Sequence, residues 1–385
     1  MPKTGPLTLG LIASSHKENE RRVAIHPAHF ERFDPETRQH VYAEKGFGDR
    51  FRIRDAQIAP HVAGLLSRQE LFERCDAVMI FKPTAPDFEY FRPGQVLWGA
   101  VHCVQNADIV QVGIDKKMTF LAMENMFLYN EDGSRGVWIY HTQSELAGYC
   151  SALHGLQIIG IKGWRDQPRK CAVISFGAAG RGACHLLQAM DFRDITVFTM
   201  RPALGVLNKI PRVRHAEYEL DPDRPGETLV VHDDGSREPF GEHLAGYDVI
   251  VNCVFQDTDN PLIFVRNDHL PAFKPGTLVV DVSCDRGMGF EWARPTTFDD
   301  PVFEVGDGVV YYAVDHSPSY LFQTASLEHS KSAWRYVKDV VGGPAAWEKN
   351  PTVGKCAEIV DGRVVNPKIL TFQNRETEYP HHKRG

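Results

Sequence analysis

The sequence predicts an α/β protein made of two doubly wound parallel-sheet domains with a cleft between them. Short runs of β-branched and aromatic residues alternate with helically spaced segments along most of the chain, a pattern typical of parallel strands joined by crossover helices. At 385 residues, the chain is longer than one hydrophobic core usually organises, so we expect two domains. In sheets of this kind, ligands bind beyond the carboxyl ends of the strands.

The first part of the chain supplies one of these sheets. A helix is expected to begin near Pro27, because proline suits a first helical turn, and another begins at Ser67, where Ser67 and Glu70 have the spacing of a capping box. Further helices are expected at 106–116 and 144–157. Strands are expected at 7–14, 41–44, 77–81, 96–101 and 118–123.

The segment 171–202 is the clearest unit of the second sheet. It reads as a strand, a turn containing Gly177 and Gly180, a short helix, and a second strand that ends at Thr199. This is the layout of a dinucleotide-binding βαβ element, in which glycines let the backbone approach a pyrophosphate at the helix N-terminus. Ser175 occupies the position of the first glycine in the usual G-x-G-x-x-G pattern, so an ordinary strand-to-helix turn remains the alternative.

The end of the second strand indicates which nicotinamide cofactor is bound. NAD-binding proteins place an acidic residue there for the ribose hydroxyls. Here the strand ends in Thr199-Met200-Arg201 and carries no acid. Because a hydroxyl and a guanidinium suit a 2′-phosphate, we predict that NADP(H) is preferred over NAD(H). The alternative is that Arg201 is a solvated loop residue.

The alternation of predicted strands and helices becomes irregular after residue 202 and resumes with the strand expected at 249–252. A hairpin is expected around 229–236, with its turn at Asp233-Asp-Gly-Ser236. A long helix over 325–341 ends at Gly342-Gly-Pro344 and is predicted to return to the first domain. The domains are therefore expected at 1–143 with 318–385, and at 144–317. Further strands are expected at 249–252, 277–282 and 309–314.

Composition excludes several classes of protein. The net charge of −7 is spread along the chain, so we expect no nucleic-acid partner. The eight cysteines form no C-x-x-C pair, which favours reduced thiols over disulfides and predicts no metal site. The sequence shows no signal pattern and no apolar run long enough to span a bilayer, so we expect no membrane association and a cytoplasmic location.

Five ionisable residues fall at or after the ends of predicted strands. Each alone has an ordinary explanation as a surface charge, a structural histidine or a turn cap, but together they suit a small carboxylate substrate beside a nicotinamide. A guanidinium can hold a substrate carboxylate, an ammonium can polarise a 2-oxo group, and an imidazole can transfer a proton near neutral pH. The aspartate could anchor an amine or orient the proton relay. These residues are Arg22, Lys82, His102, Asp285 and His316.

Ordered motifs across the chain also carry a family resemblance. The matching stretches are 20–27 (ERRVAIHP), 46–48 (GFG), Gly94-Gln95 with His102, 145–148 (ELAG), 252–261, 275–285, 294–299 and 301–303. Together they resemble the alanine dehydrogenase and transhydrogenase superfamily, and they are most similar to its N5-(carboxyethyl)ornithine synthase branch of opine-type reductases. The resemblance covers about residues 8 to 342.

The resemblance implies two Rossmann-like domains with the active site between them. It assigns Arg22 and Lys82 to the binding of a 2-oxo acid, and His102 and Asp285 to a catalytic pair. The missing acid after the second strand is shared with the NADPH-using carboxyethylornithine synthases. His316 stands where alanine dehydrogenases and carboxyethylornithine synthases carry asparagine, and it is similar to the histidine of saccharopine dehydrogenases, which leaves the substrate pair open.

The predicted activity is the NADPH-dependent reductive condensation of a small 2-oxo acid, such as pyruvate, with the side-chain amine of ornithine or lysine. The alternatives are an amino-acid dehydrogenase that uses ammonia, saccharopine-type chemistry, and a non-catalytic nucleotide-binding protein. The family resemblance also implies a homo-oligomer. The predicted catalytic residues are His102, Asp285 and Lys82. The predicted substrate-binding residues are Arg22, Lys82 and His316. The predicted cofactor contacts are Ser175, Gly177, Ala179, Gly180, Thr199, Arg201, Asn252 and Val282.

Overall fold

The computed structural model describes residues 5–384, which divide into two compact units. Among these residues, unit 1 comprises those up to 141 and those from 321 onwards, and unit 2 comprises residues 142–320. None of the helices in the described part of the chain combines the length and apolar character needed to cross a bilayer.

The strands of both units are short, at two to seven residues. In chain order they are β1 Leu9–Leu11, β2 Val41–Glu44, β3 Gly64–Leu66, β4 Ala77–Ile80, β5 Val96–Gly99, β6 Thr119–Ala122, β7 Phe127–Tyr129, β8 Arg135–Trp138, β9 Lys170–Ile174, β10 Asp194–Thr199, β11 Arg214–Leu220, β12 Thr228–Val231, β13 Arg237–Pro239, β14 Val249–Asn252, β15 Ile263–Val265, β16 Leu278–Asp281, β17 Gly289–Phe290, β18 Val302–Val305, β19 Val309–Tyr312, β20 Ala357–Val360 and β21 Arg363–Val364.

The α-helices range from single turns to the 18-residue helix α6. In chain order they are α1 Pro35–Arg38, α2 Asp55–Ile58, α3 Arg68–Arg74, α4 Ala85–Phe88, α5 Ala107–Asp115, α6 His141–Ile158, α7 Ala178–Ala189, α8 Phe240–Leu244, α9 Phe322–Ala333, α10 Val337–Val341, α11 Pro344–Trp347, α12 Pro351–Gly354 and α13 Pro367–Phe372. Short 3₁₀ turns join several of them, and the first, Pro27–Arg32, is the helix predicted near Pro27.

The eight-stranded sheet of unit 1 is doubly wound. Its order is β21-β20-β6-β5-β4-β1-β2-β3, and the six strands from β6 to β3 are parallel. The strand order reverses between β1 and β4, and ligands of such sheets bind beside this switch point. Arg22 lies in the segment after β1, and Lys82 follows β4. The fold of unit 1 therefore places two predicted site residues in the segments that follow the two switch-point strands.

Unit 2 repeats the same winding in a nine-stranded sheet. Its order is β13-β12-β11-β10-β9-β14-β16-β19-β18, with parallel pairing from β11 to β19 and antiparallel strands at both edges. The switch point lies between β9 and β14. The glycine turn follows β9, and Asn252 ends β14. The predicted α/β class with Rossmann-like sheets is confirmed.

Alternate residues of the central strands enter different hydrophobic cores. Ala77 and Met79 of β4 pack in one core of unit 1, whereas Val78 and Ile80 pack in the other. The strands of parallel sheets that are covered on both faces read as continuous apolar runs for this reason. In unit 2, Val249 and Val251 of β14 pack in one hydrophobic core, and Ile250 packs in the other.

Most predicted elements occur where the sequence placed them. Two strands, 41–44 and 249–252, have the predicted bounds, and the others given above as ranges are up to five residues shorter than expected. The capping box at Ser67 forms, since Glu70 and Ser67 each accept a hydrogen bond from the other's backbone N–H. The prediction of a single helix over 325–341 is wrong. The helical segment is interrupted by a 3₁₀ turn at Trp334–Tyr336 between α9 and α10, and because apolar spacing continues through the tightened turn, spacing alone did not reveal it.

Candidate active site

Left-handed backbone marks the carboxyl ends of four central strands. Non-glycine residues with positive φ follow each: Lys82 at 45° after β4, His102 at 47° after β5, Ser175 at 82° after β9 and Cys284 at 47° after β16. Such a conformation costs on the order of 1–3 kcal/mol and concentrates at functional sites. The backbone of both units therefore singles out the strand ends at which the sequence placed its candidate residues.

Arg22 is fixed by a carboxylate and an aromatic ring. Its side chain is buried, and its Nε and Nη2 donate to Oε1 and Oε2 of Glu20 at 2.8 and 2.6 Å. Its guanidinium carbon lies 4.4 Å from the centre of the Phe81 ring. The pairing and the stacking offset the cost of burying the charge. They also hold the guanidinium in one orientation, with Nη1 outside the hydrogen bonds to Glu20.

A buried histidine supports this arrangement from α9. The His329 ring stacks on Tyr140 at 4.1 Å and meets the Phe81 ring at 4.8 Å. Its Nδ1 donates to the Ala24 carbonyl oxygen at 2.9 Å. Burial lowers the pKa of His329 to about 3, so the ring is neutral and packs as part of the core. Sequence reasoning missed it, because His329 and Ala24 are 305 positions apart along the chain.

Lys82 and His102 lie at the ends of neighbouring strands, since β4 pairs with β5. Lys82 is partly exposed, and 46% of the His102 side chain is exposed, so a ligand can reach both. Glu124, just after β6, accepts the His102 backbone N–H at 2.7 Å, and the same Oε1 lies 3.5 Å from His102 Nε2. Sequence analysis left Glu124 out of the site, although its place at a strand end was a usable signal.

Glu124, whose side chain is 26% exposed, lies near the buried carboxyl group of Glu358. Burial raises the pKa of Glu124 to about 8, the nearby Glu358 adds to the increase, and Lys82 acts in the opposite direction. Burial also raises the pKa of Glu358, whose Oε1 accepts hydrogen bonds from Asn125 and Asn366 at 2.8 and 2.9 Å. Within residues 5–384, Oε2 of each glutamate is buried without a hydrogen-bond partner. A carboxyl group that holds a proton near neutral pH beside Lys82 is suited to proton transfer.

The turn after β9 is shaped for close approach to an anion. A Cβ on Gly180 would lie 2.1 Å from the Ser175 carbonyl oxygen, so the turn admits only glycine there. Gly177 begins α7 without a side-chain cap, and a Cβ at Gly177 would meet only Ser175 Oγ, at 3.9 Å. The first N–H groups of α7, including that of Ala179, therefore face no capping side chain. This cradle fits the pyrophosphate of a dinucleotide.

Two further glycines bring α6 against α7. A Cβ on Gly148 would lie 1.8 Å from the Ala179 carbonyl oxygen, and one on Gly182 would lie 1.8 Å from the Glu145 carbonyl oxygen. Backbone contact this close excludes any side chain. The 145–148 motif is therefore explained by the packing of α6 on the helix that follows the glycine turn.

The loop after β10 carries Arg201 at the position where NAD-binding proteins carry an acid. The Arg201 side chain is exposed. Thr199 is buried, and its hydroxyl donates to the Arg201 carbonyl oxygen at 2.7 Å. This hydrogen bond stabilises the backbone of the loop that carries Arg201. Glu217 of β11, partly buried, is the partner of Thr199 in the sheet register. This glutamate was missed from the sequence because the pairing of β10 with β11 is not visible there.

Asn252 and Asp281 join the ends of β14 and β16. Asn252 Nδ2 donates to Asp281 Oδ1 at 2.9 Å, and the Val282 N–H donates to the Asn252 carbonyl oxygen at 2.9 Å. The predicted cofactor contacts Asn252 and Val282 are therefore adjacent. Burial raises the pKa of Asp281 to about 6, and the Tyr311 hydroxyl donates to its Oδ2 at 2.6 Å.

Asp281 also sets the turn that carries Asp285. Its Oδ1 accepts the backbone N–H groups of Ser283 and Cys284, both at 3.1 Å. Cys284 is the residue with left-handed φ, so these bonds stabilise the strained conformation. Asp285 follows directly and is partly exposed. Asp281 therefore stabilises the turn that positions Asp285. This role of Asp281 was not predicted from the sequence.

His316 occupies a buried position after β19. Its side chain is 0% exposed, and its Nδ1 lies 2.7 Å from Asp315 Oδ1. The Phe298 ring meets it at 4.9 Å. Of the two histidines predicted for the site, His102 is therefore open to solvent and His316 is enclosed.

Two family models match the chain over nearly its whole length. The alanine dehydrogenase/PNT N-terminal domain matches residues 11–147, and the alanine dehydrogenase/PNT C-terminal domain matches residues 145–367. The chain belongs to the alanine dehydrogenase/PNT family. The resemblance predicted from the sequence motifs is confirmed.

Individual relatives support this placement. An N(5)-(carboxyethyl)ornithine synthase from Clostridium botulinum is 26% identical over 341 residues, covering 86% of this chain and 94% of that protein. An alanine dehydrogenase from Methanococcus maripaludis is 26% identical over 370 residues, covering 90% and 92%. A solved L-alanine dehydrogenase structure shares the fold, with a TM-score of 0.73 at 19% identity, covering 95% of this chain and 98% of that chain.

Family membership establishes the class of reaction. The chain is a nicotinamide-dependent oxidoreductase that acts on CH–NH groups, in a family whose substrates are amino acids and 2-oxo acids. Relatives with two different activities match at the same 26% identity, so identity alone does not select the amine or the nicotinamide.

Proposed function

We propose that this enzyme uses NADPH to reduce the imine formed between a small 2-oxo acid and the side-chain amine of ornithine or lysine. The observation that carries the proposal is the end of β10, where Thr199-Met200-Arg201 has no carboxylate and the Arg201 side chain is exposed. An exposed guanidinium attracts a 2′-phosphate, whereas a carboxylate at this position would repel it. NADPH is in turn the cofactor expected for reductive synthesis.

In this proposal Arg22 binds the carboxylate of the 2-oxo acid. A guanidinium binds a carboxylate through directed N–H donors, and Glu20 already aligns this one. Because Arg22 is buried against Phe81, it stays in place before the substrate arrives. The entropy cost of ordering a long side chain is therefore not incurred at the binding step.

Lys82 and His102 act on the carbonyl carbon that becomes the imine. The Lys82 ammonium polarises the 2-oxo oxygen and so favours attack by the amine. His102 removes and returns protons during loss of water and reduction. Glu124, with its pKa raised to about 8, stores a proton next to this pair. Bound NADPH would supply the hydride.

Asp285 is assigned to the amine substrate. A carboxylate that is partly exposed, on a turn held by Asp281, suits the charged end of a basic amino acid. His316 is assigned to the same end of the substrate, and its ring packs against Phe298. The backbone N–H groups after Gly177 would hold the pyrophosphate, and Asn252 with Val282 would contact the nicotinamide half.

The test measures cofactor oxidation with pyruvate and a panel of amines, using ammonia, L-ornithine and L-lysine with NADPH and with NADH. We expect turnover with NADPH and a basic amino acid, and at least a tenfold preference for NADPH. Arg201→Ala should remove that preference by raising KM for NADPH. Arg193→Ala, which removes an exposed arginine before the amino end of β10, is the matched control that should leave the preference unchanged. Equal use of both cofactors by the wild-type enzyme would contradict the proposal.

The second candidate is an amino-acid dehydrogenase that uses ammonia. It is favoured by the M. maripaludis alanine dehydrogenase, which matches at the same identity over a larger share of this chain. Turnover with ammonia alone among the amines would select it. Saccharopine-type chemistry, suggested by His316, would instead require 2-oxoglutarate in place of pyruvate.

A further inference from the structure

A cluster of three metal-ligand side chains lies at the edge of the nine-stranded sheet. It consists of His232, Glu238 and His243, whose ligand atoms all lie within 4.8 Å of one another. None of the three belongs to the site described above. The two imidazoles and one carboxylate form a donor set that is typical of zinc sites.

Sheet register and one short helix bring these residues together. Val230 of β12 is the antiparallel partner of Glu238 of β13, so His232, two residues further along, points to the same face as Glu238. The His232 N–H donates to the Ser236 carbonyl oxygen at 3.0 Å and closes the hairpin turn. Helix α8 starts directly after β13 and carries His243 to this face.

The spacing of the ligand atoms is close to that around a zinc ion. His232 Nε2 lies 3.1 Å, and His243 Nδ1 lies 2.5 Å, from the same Oε1 of Glu238. Zinc–ligand bonds of about 2.0–2.1 Å in a tetrahedron separate the ligand atoms by roughly 3.3 Å. The two distances to Glu238 differ from this value by less than about 1 Å, and the two imidazole nitrogens, which lie within 4.8 Å of each other, must approach by at most about 1.5 Å.

The electrostatic surroundings also favour a cation. The Asp234 carboxylate lies in the same hairpin turn as His232, and its Oδ1 accepts hydrogen bonds from the backbone N–H and the hydroxyl of Ser236 at 2.9 and 2.6 Å. The neighbouring guanidinium of Arg237 bonds Glu219 rather than Glu238. The three ligand side chains are 25–40% exposed, so an ion and a coordinated water can enter from solvent.

We propose that His232, Glu238 and His243 bind one Zn²⁺ ion, with water in the fourth position. The ion links the edge hairpin β12–β13 to α8 and so fastens the edge of the sheet. No metal site was predicted from the sequence, because the prediction rested on the absence of C-x-x-C pairs. This site instead uses nitrogen and oxygen donors from the β12–β13 hairpin and from α8.

The experiment uses the full-length, untagged protein after treatment with a chelator. Equilibrium dialysis against Zn²⁺, read by elemental analysis, should give one ion per chain. Co²⁺ in place of Zn²⁺ should give the visible absorption bands of a tetrahedral site. Zinc should also raise the thermal midpoint, because it binds the folded state.

The variants separate a built site from adventitious binding. His232→Ala and His243→Ala should each weaken zinc binding at least 100-fold, and Glu238→Gln, which keeps the shape, should weaken it at least tenfold. The exposed His185 on α7 provides the control, and His185→Ala should bind zinc as the wild type does. Circular dichroism and cofactor binding check that each variant is folded. A wild-type Kd weaker than about 10 µM, or zinc binding unchanged in His243→Ala, would overturn the proposal.

Discussion

The raised pKa of Glu124 makes a quantitative prediction about stability. Burial moves this pKa from 4.5 to about 8, so the folded chain keeps a proton that the unfolded chain releases between these values. The contribution of Glu124 to stability should therefore be fully present below pH 4.5 and should be lost as pH rises to about 8. A shift of this size corresponds to about 5 kcal/mol, and since 26% of the side chain is exposed, we expect about 2 kcal/mol after solvent screening.

The perturbation that isolates this effect is Glu124→Gln, because glutamine keeps the shape and cannot ionise. Urea unfolding is followed by circular dichroism at pH 5, 7 and 9, and each variant is compared with the wild type at the same pH, which cancels other titrating groups. The variant should match the wild type at pH 5 and be more stable by about 2 kcal/mol at pH 9. The exposed Glu89→Gln is the control and should show no pH-dependent difference. A constant difference between Glu124→Gln and wild type from pH 5 to 9 would refute the reasoning.

Three further predictions concern the backbone of the site. Ser175→Gly should stabilise unit 2 by about 1 kcal/mol in urea unfolding by relieving a left-handed φ, whereas Ser175→Ala, which keeps the Cβ, should not; equal effects would contradict the strain. Gly182→Ala should destabilise by about 3 kcal/mol and lower the thermal midpoint, because its Cβ would lie 1.8 Å from a carbonyl oxygen. Gly177→Ala should leave the thermal midpoint unchanged, because the added methyl group would project into open space. The methyl group would occupy the space proposed for the pyrophosphate, so NADPH binding in a fluorescence titration should weaken at least tenfold. Unaltered binding would remove Gly177 from the cofactor site.

The order of strands and helices was predictable because its signals are local. The strands Val41–Glu44 and Val249–Asn252 have the predicted bounds, since each is an apolar run bounded by polar or turn residues. The hairpin around 229–236 also formed as expected. The strands β20 and β21 were not foreseen, because β20 pairs with β6, more than 200 residues earlier in the chain, and β21 pairs with β20.

The positions of the candidate site residues were also predictable in part. The rule that ligands meet the carboxyl ends of strands led to Lys82 and His102 without knowledge of the fold. The rule could not reveal that Glu358 from β20 lies beside Glu124 and raises its pKa, since that contact depends on long-range pairing. Nor could it show that His316 is buried, because exposure is set by Phe298 and other parts of the chain.

The glycine turn illustrates a third limit. The sequence showed that Ser175 departs from the usual fingerprint, but it did not show whether the turn survives. The structure keeps the turn by holding Ser175 at a φ of 82°, a conformation usually reserved for glycine. The departure therefore costs stability and leaves the cradle for an anion in place.

The identity of the amine substrate can be read from the reaction product by mass spectrometry. The enzyme is incubated with NADPH, pyruvate and an equimolar mixture of ammonia, L-ornithine and L-lysine, so that the amines compete. We expect an N-(carboxyethyl) derivative of ornithine or lysine as the main product, and we expect Arg22→Ala to lose this product with a rise in KM for pyruvate. Alanine as the main product would contradict this expectation.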